Sequence, residues 1–132
     1  MRFLIFLLFL PLKGITQLSF ETIKMSKSVE ETSGLEILGN YLITHNDSGD
    51  KPKLYIINQE GEKIMEIEIN QLKNNDWEDI AADSENYYIA DTGNNYGTRE
   101  NLKIYILDKD FFLQGKISIR YQSQTTFSRE PK

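Results

Sequence analysis

Two oxygen-rich loops hold most of the side chains in this sequence that can do chemistry. Asn46-Asp47-Ser48-Gly49-Asp50 and Asp91-Thr92-Gly93-Asn94-Asn95 concentrate carboxylate and amide oxygens. Such oxygens suit a hard cation, Ca2+ or Mg2+, and make Asp47, Asp91 and Asn94 the candidate metal ligands. The same residue types also build plain turns, in which Asp and Asn accept local backbone hydrogen bonds and Gly takes a positive φ. Neither loop has the twelve-residue EF-hand spacing. Trp77-Glu78-Asp79 is a second constellation. Glu78 or Asp79 is the candidate catalytic carboxylate, as ligand or general base, and strand alternation allows at most one of the two to face a given side. Trp77 either borders a ligand or packs as core mass. With His45, Asn46, Asp47 and Arg99 it completes the candidate ligand-binding set. Arg99 offers a partner for an anionic ligand. A Ser-His-Asp triad would depend on the lone His45, with Ser48 too near along the chain, and there is no Gly-x-Ser-x-Gly elbow.

The composition closes off several other chemistries. The 132 residues make about one small domain. The absence of Cys removes disulfide scaffolds, thiolate zinc sites and Cys nucleophiles. Twenty acidic against fifteen basic residues give a net charge of −5, and no Lys/Arg cluster exceeds two residues, so nucleic acid is not an expected partner. No phosphate loop, zinc helix or dinucleotide fingerprint is present.

Residues 1–16 read as a secretory signal peptide. Arg2 precedes the ten-residue apolar run Phe3 to Leu12, and small residues follow at Gly14 and Thr16. Ten residues fall short of the about 20 that span a bilayer, so the run is read as a leader cleaved near Thr16/Gln17 rather than as an anchor or a buried strand. Cleavage leaves an acidic chain with no membrane span, in a secreted or periplasmic setting.

The elements that must position these residues are short strands. Lys63 to Ile69 alternates Met65, Ile67 and Ile69 against Glu66 and Glu68, and Lys116 to Tyr121 repeats the layout. Their order recurs along the chain. Asp47-Ser48-Gly49 lies 44 residues before Asp91-Thr92-Gly93, and Leu54-Tyr55-Ile56 lies 50 before Ile104-Tyr105-Ile106, with the extra six residues in the loop Asn94 to Asn101. Four strands at this spacing mark a β-propeller blade. A sandwich or barrel meander has similar strand lengths but needs no such echo. The expectation is all-β: an incomplete propeller over 17–132, with an edge strand at 17–25 and blade-like units at 33–70 and 77–122. Two blades do not close a ring, so the chain is read as a fragment of a longer propeller that needs remaining blades or self-assembly.

Several motifs together resemble a family of exported β-propellers common in Bacteroidetes, described as gluconolactonase-like or quinoprotein-like and mostly without assigned activity. They are Ser33-Gly34-Leu35, His45-Asn46-Asp47-Ser48-Gly49, Leu54-Tyr55-Ile56, Asp76-Trp77-Glu78-Asp79-Ile80-Ala81, Ala90-Asp91-Thr92-Gly93-Asn94-Asn95, Arg99 and Ile104-Tyr105. The resemblance runs from about Ser33 to Phe127 and implies further blades beyond this front end. Propellers bind ligands at the rim around their axis, so a small-molecule or protein ligand is expected there, and the resemblance motivates a cation-dependent lactonase as the alternative. A non-functional remnant is the third reading, because two blades lack a closed core.

Overall fold

The computed structural model describes residues 20–122 and 124. The leader lies outside the described residues. The fold is all-β: two four-stranded antiparallel sheets, each in simple sequential order, as two propeller-like blades require. Sheet A comprises β1 (Thr32–Leu38), β2 (Tyr41–Asn46), β3 (Lys53–Ile57) and β4 (Lys63–Glu68). Sheet B comprises β5 (Trp77–Ala82), β6 (Asn86–Asp91), β7 (Lys103–Asp108) and β8 (Leu113–Ser118). Among the described residues the single helical feature is a 3₁₀ turn, Lys27–Val29, and no helix is long and apolar enough to cross a membrane.

Two boundaries differ from the sequence expectation. Strand β8 begins three residues before Lys116, because the Asp108 carboxylate accepts the Asp110 and Phe112 amides and closes a tight turn that lets Leu113 pair with Leu107. Within the expected edge strand 17–25, residues 20–25 form no strand, and residues 17–19 lie outside the described residues. At its end Ser26 donates its amide to Gly61 O, and Met25 and Val29 pack onto Tyr55, Ile57 and Leu42 of sheet A.

The internal repeat is more regular in the ladders than in the sequence. Leu35, Thr44, Tyr55 and Glu66 line up across sheet A, and Ile80, Ile89, Tyr105 and Lys116 line up across sheet B. Both sheets carry a bulge in the first strand, Thr32/Gly34 and Trp77/Asp79, and another in the fourth, where Ile64 and Gln114 are the extra residues opposite Ile56/Ile57 and Ile106/Leu107. The ladders equate Asn46 with Asp91, 45 positions apart, not Asp47 with Asp91 as the turn motifs suggested. Because side chains alternate with period two, that one-residue difference matters: Asp47 and Asp91 do not occupy equivalent faces.

The sheets pack through β1 and β5. The Ser33 hydroxyl donates to Trp77 O at 2.6 Å, and the Ala82 amide donates to Glu36 Oε2 at 3.1 Å. Ile43, Leu54 and Ile56 of sheet A meet Trp77, Ile80, Tyr87, Ile89, Tyr105 and Leu107 of sheet B in one core, with Ile69 and Leu72 of the connecting segment. Burial of this apolar surface is the main term holding the sheets together. Gly34 sits at the closest approach, where a Cβ would meet His45 Nε2 and Ile80 N at 2.7 Å.

Candidate functional site

The connecting segment Lys73 to Asp76 organises one end of both sheets. Asn74 Nδ2 donates to the carbonyls of Asn46 (3.1 Å) and Asp47 (2.8 Å), while its Oδ1 accepts the Trp77 amide. This one side chain ties the first oxygen-rich loop to the start of β5. Asn75 Nδ2 donates to Asp91 Oδ2 at 2.8 Å, and the Asp76 amide donates to Asp91 Oδ1. The acid of the second loop is thus secured from the same segment.

These restraints gather three carboxylates, with one oxygen each from Asp47, Asp76 and Glu78 lying within 4.8 Å of one another. The backbone makes room for them. Gly93 faces the cluster so closely that a Cβ there would collide with the Asp76 carboxyl and lie 2.5 Å from Glu78 Oε1. Like charges at this separation disfavour full ionisation. Burial, followed by the adjoining Asp47 carboxyl and then Glu78, pushes the Asp76 pKa up to about 6 against the opposing pull of Arg99. An added divalent cation would relieve that repulsion.

Of the expected metal ligands, Asp47 joins this cluster, whereas Asp91 and Asn94 are engaged elsewhere. Asp91 is fully buried. Its Oδ1 accepts Arg99 Nη2 at 2.9 Å, and Lys103 Nζ stands 3.7 Å from Oδ2. Asn94 Oδ1 accepts the Arg99 amide, and its Nδ2 donates to Gln124. Arg99 also donates to Gly93 O and Asn101 Oδ1, with Nη1 4.0 Å from Asp76 Oδ2. Expected as a contact for an anionic ligand, Arg99 is instead the counter-charge of a buried aspartate.

His45 and Trp77, expected as ligand contacts, have no exposed surface. Their rings meet edge to face, with centroids 5.5 Å apart, between the two sheets. The Trp77 indole donates to Lys73 O at 3.0 Å, so both its apolar body and its N–H are used internally. Burial lowers the His45 pKa from its ordinary value and favours the neutral ring. Asn46, whose side chain donates to Ser28 O and Asp50, lines an open depression of ≈ 310 Å³ with Ser28, Glu31 and Tyr55. Glu78 occupies the bulge of β5 and faces the other two acids; Asp79 is exposed and accepts the Ile80 amide.

Sequence reasoning missed Asp76, Asn74 and Asn75 as site residues. Asp76 had a readable signal, since acids at i and i+2 beside a strand fall on one side. The two asparagines bind backbone and carboxylate partners distant along the chain, which no local pattern reveals. Comparison with known proteins gives no match to any family model and none to a curated protein.

Proposed function

We propose that this chain belongs to an exported, propeller-type binding protein that takes a small-molecule or protein ligand at an acidic rim, with Ca2+ or Mg2+ bridging ligand and protein. The convergence of Asp47, Asp76 and Glu78 carries the proposal, because it gathers three oxygens from the loop after β2, the connecting segment and the start of β5. The leader-like N terminus and the motifs resembling exported Bacteroidetes propellers support the setting. The site is Asp47, Asp76 and Glu78 rather than Asp47, Asp91 and Asn94, since the latter two are tied to Arg99 and Gln124.

A second reading is favoured by one observation. A carboxyl with a pKa of about 6 is suited to proton transfer near neutrality, which fits a lactonase-style hydrolase using Asp76 as acid or base.

Thermal unfolding with Ca2+, Mg2+, Mn2+ or Zn2+ tests the site, because a ligand that binds only the folded state raises its stability. The melting temperature is expected to rise with a divalent cation in the parent and in Asp79→Ala, but not in Asp47→Ala or Glu78→Gln. No rise with any metal, or a rise retained in both cluster variants, would overturn the proposal. Lactone hydrolysis that disappears in Asp76→Asn would move the assignment to the second reading.

A further inference from the structure

The ladder equivalence between the sheets extends to their faces. The side of sheet A that packs on sheet B presents Ile43, Leu54 and Ile56. The ladders equate these three with Tyr88, Ile104 and Ile106 of sheet B. Ladder partners share a face, so those three lie on the side of sheet B turned away from sheet A. Ile117, paired with Ile104, extends that apolar side and is half exposed.

The converse holds for the outer side of sheet A. Leu35, Leu42 and Tyr55 are the ladder counterparts of Ile80, Tyr87 and Tyr105, the residues on which sheet A's own side chains rest. Leu35 and Ile37 are left 53% and 68% exposed there. The Met25–Val29 segment covers part of this face, lying against Leu42, Tyr55 and Ile57, as the Ile69–Leu72 connection lies within the core that sheet B shares with sheet A, and that core still accepts a sheet. Among the described residues, Leu35 and Ile37 on one side and Ile117 on the other thus leave open parts of both halves of an interface that the molecule already makes once internally.

We propose that the occupant is a second copy of this chain, bound head to tail, with Tyr88, Ile104 and Ile106 of one copy resting on the Leu35 and Ile37 side of sheet A in the next. Such a contact is heterologous and closes into a ring when its rotation repeats that between sheets A and B. The proposal rests on the fold and not on the acidic site, so a failed cation titration leaves it standing.

Sedimentation velocity on the purified protein tests it. The expected species is a closed assembly of about two to four copies, since propellers hold roughly four to eight blades. Ile37→Lys and Ile106→Lys each remove one half of the interface and are expected to be monomeric alone. Mixed, they retain one intact pair of faces and are expected to form a one-to-one dimer and nothing larger. A monomeric parent at its highest soluble concentration would overturn the proposal. So would a dimer that survives Ile37→Lys but not Ile106→Lys, which marks face-to-face pairing of sheet B. Ile37 is mostly exposed, so its variant keeps the test decisive if Ile106→Lys fails to fold, as judged by circular dichroism.

Discussion

Sheets A and B share strand order, bulges and register, yet the ends of their second strands have diverged in chemistry. Strand β2 ends at Asn46, a neutral side chain held by Ser28 O and Asp50. Strand β6 ends at Asp91, a buried carboxylate held by Arg99, Asn75 and the Asp76 amide. The difference traces to loop length. The loop after β6, Thr92 to Leu102, is five residues longer than that after β2, Asp47 to Pro52, and the longer loop carries Arg99 back onto Asp91. The insertion is five residues in ladder register, not the six implied by the turn motifs. Its arginine makes one acid structural, while Asp47, with no equivalent arginine, is left to face Asp76 and Glu78. The same blade scaffold thus yields a closed ion pair at the end of β6, while Asp47, just past the end of β2, meets Asp76 and Glu78 at the junction of the two sheets.

The strongest test removes the two strand-end residues in turn. Asp91→Ala leaves Arg99 charged at 12% side-chain exposure and is expected to cost about 3–5 kcal/mol in urea unfolding. Asn46→Ala removes neutral hydrogen bonds and is expected to cost about 1–2 kcal/mol. Equal losses would break the distinction between the two ends. Next in size is a contrast of glycines. Gly34→Ala places a methyl group against His45 and the β5 backbone and is expected to cost about 1–3 kcal/mol by overpacking. Gly115→Ala meets nothing within 4 Å and occupies the place held by Met65 in sheet A, so a change within about 0.5 kcal/mol is expected. A large loss at Gly115 would contradict the ladder equivalence.

The fold was legible because alternation and the repeated Tyr-centred strands are local patterns that the pleat reproduces directly. The site was legible only in part. Asp47 and Glu78 stood out as oxygen-rich loop and strand-start residues. Their gathering with Asp76 depends on Asn74 reaching across to the Asn46 and Asp47 carbonyls, a tertiary contact. The equation of Asp47 with Asp91 failed because matching turn motifs do not fix ladder register, and one residue of slip moves a side chain to the other face. The pairing of Arg99 with Asp91 was illegible for a related reason: its partner is a buried group in its own unit, and burial is invisible in a polar loop sequence.

In the parent the shallowest readout is a pH profile in which the two units oppose each other. Asp76, just before sheet B, has a folded pKa of about 6, above its ordinary value of 3.8. Its contribution to stability is therefore present below about pH 4 and lost as pH rises through 6, a fall of about 1–2 kcal/mol in chelator-treated protein. His45, in sheet A, has a folded pKa below its ordinary 6.5. Its contribution is present above 6.5 and lost as pH falls, because the unfolded chain then binds the proton that the buried ring refuses. Between pH 4 and 6.5 the slopes cancel in part, so the parent profile is expected to be shallow. Asp76→Asn should expose the His45 slope, with stability rising from acid to neutral pH, and His45→Leu should expose the Asp76 slope, with stability falling over the same range. Urea unfolding of both variants across that range separates them. If the variants shift the parent profile without changing its slope, neither group titrates differently on folding, and the carboxylate cluster is open enough to water to ionise as it does in the unfolded chain.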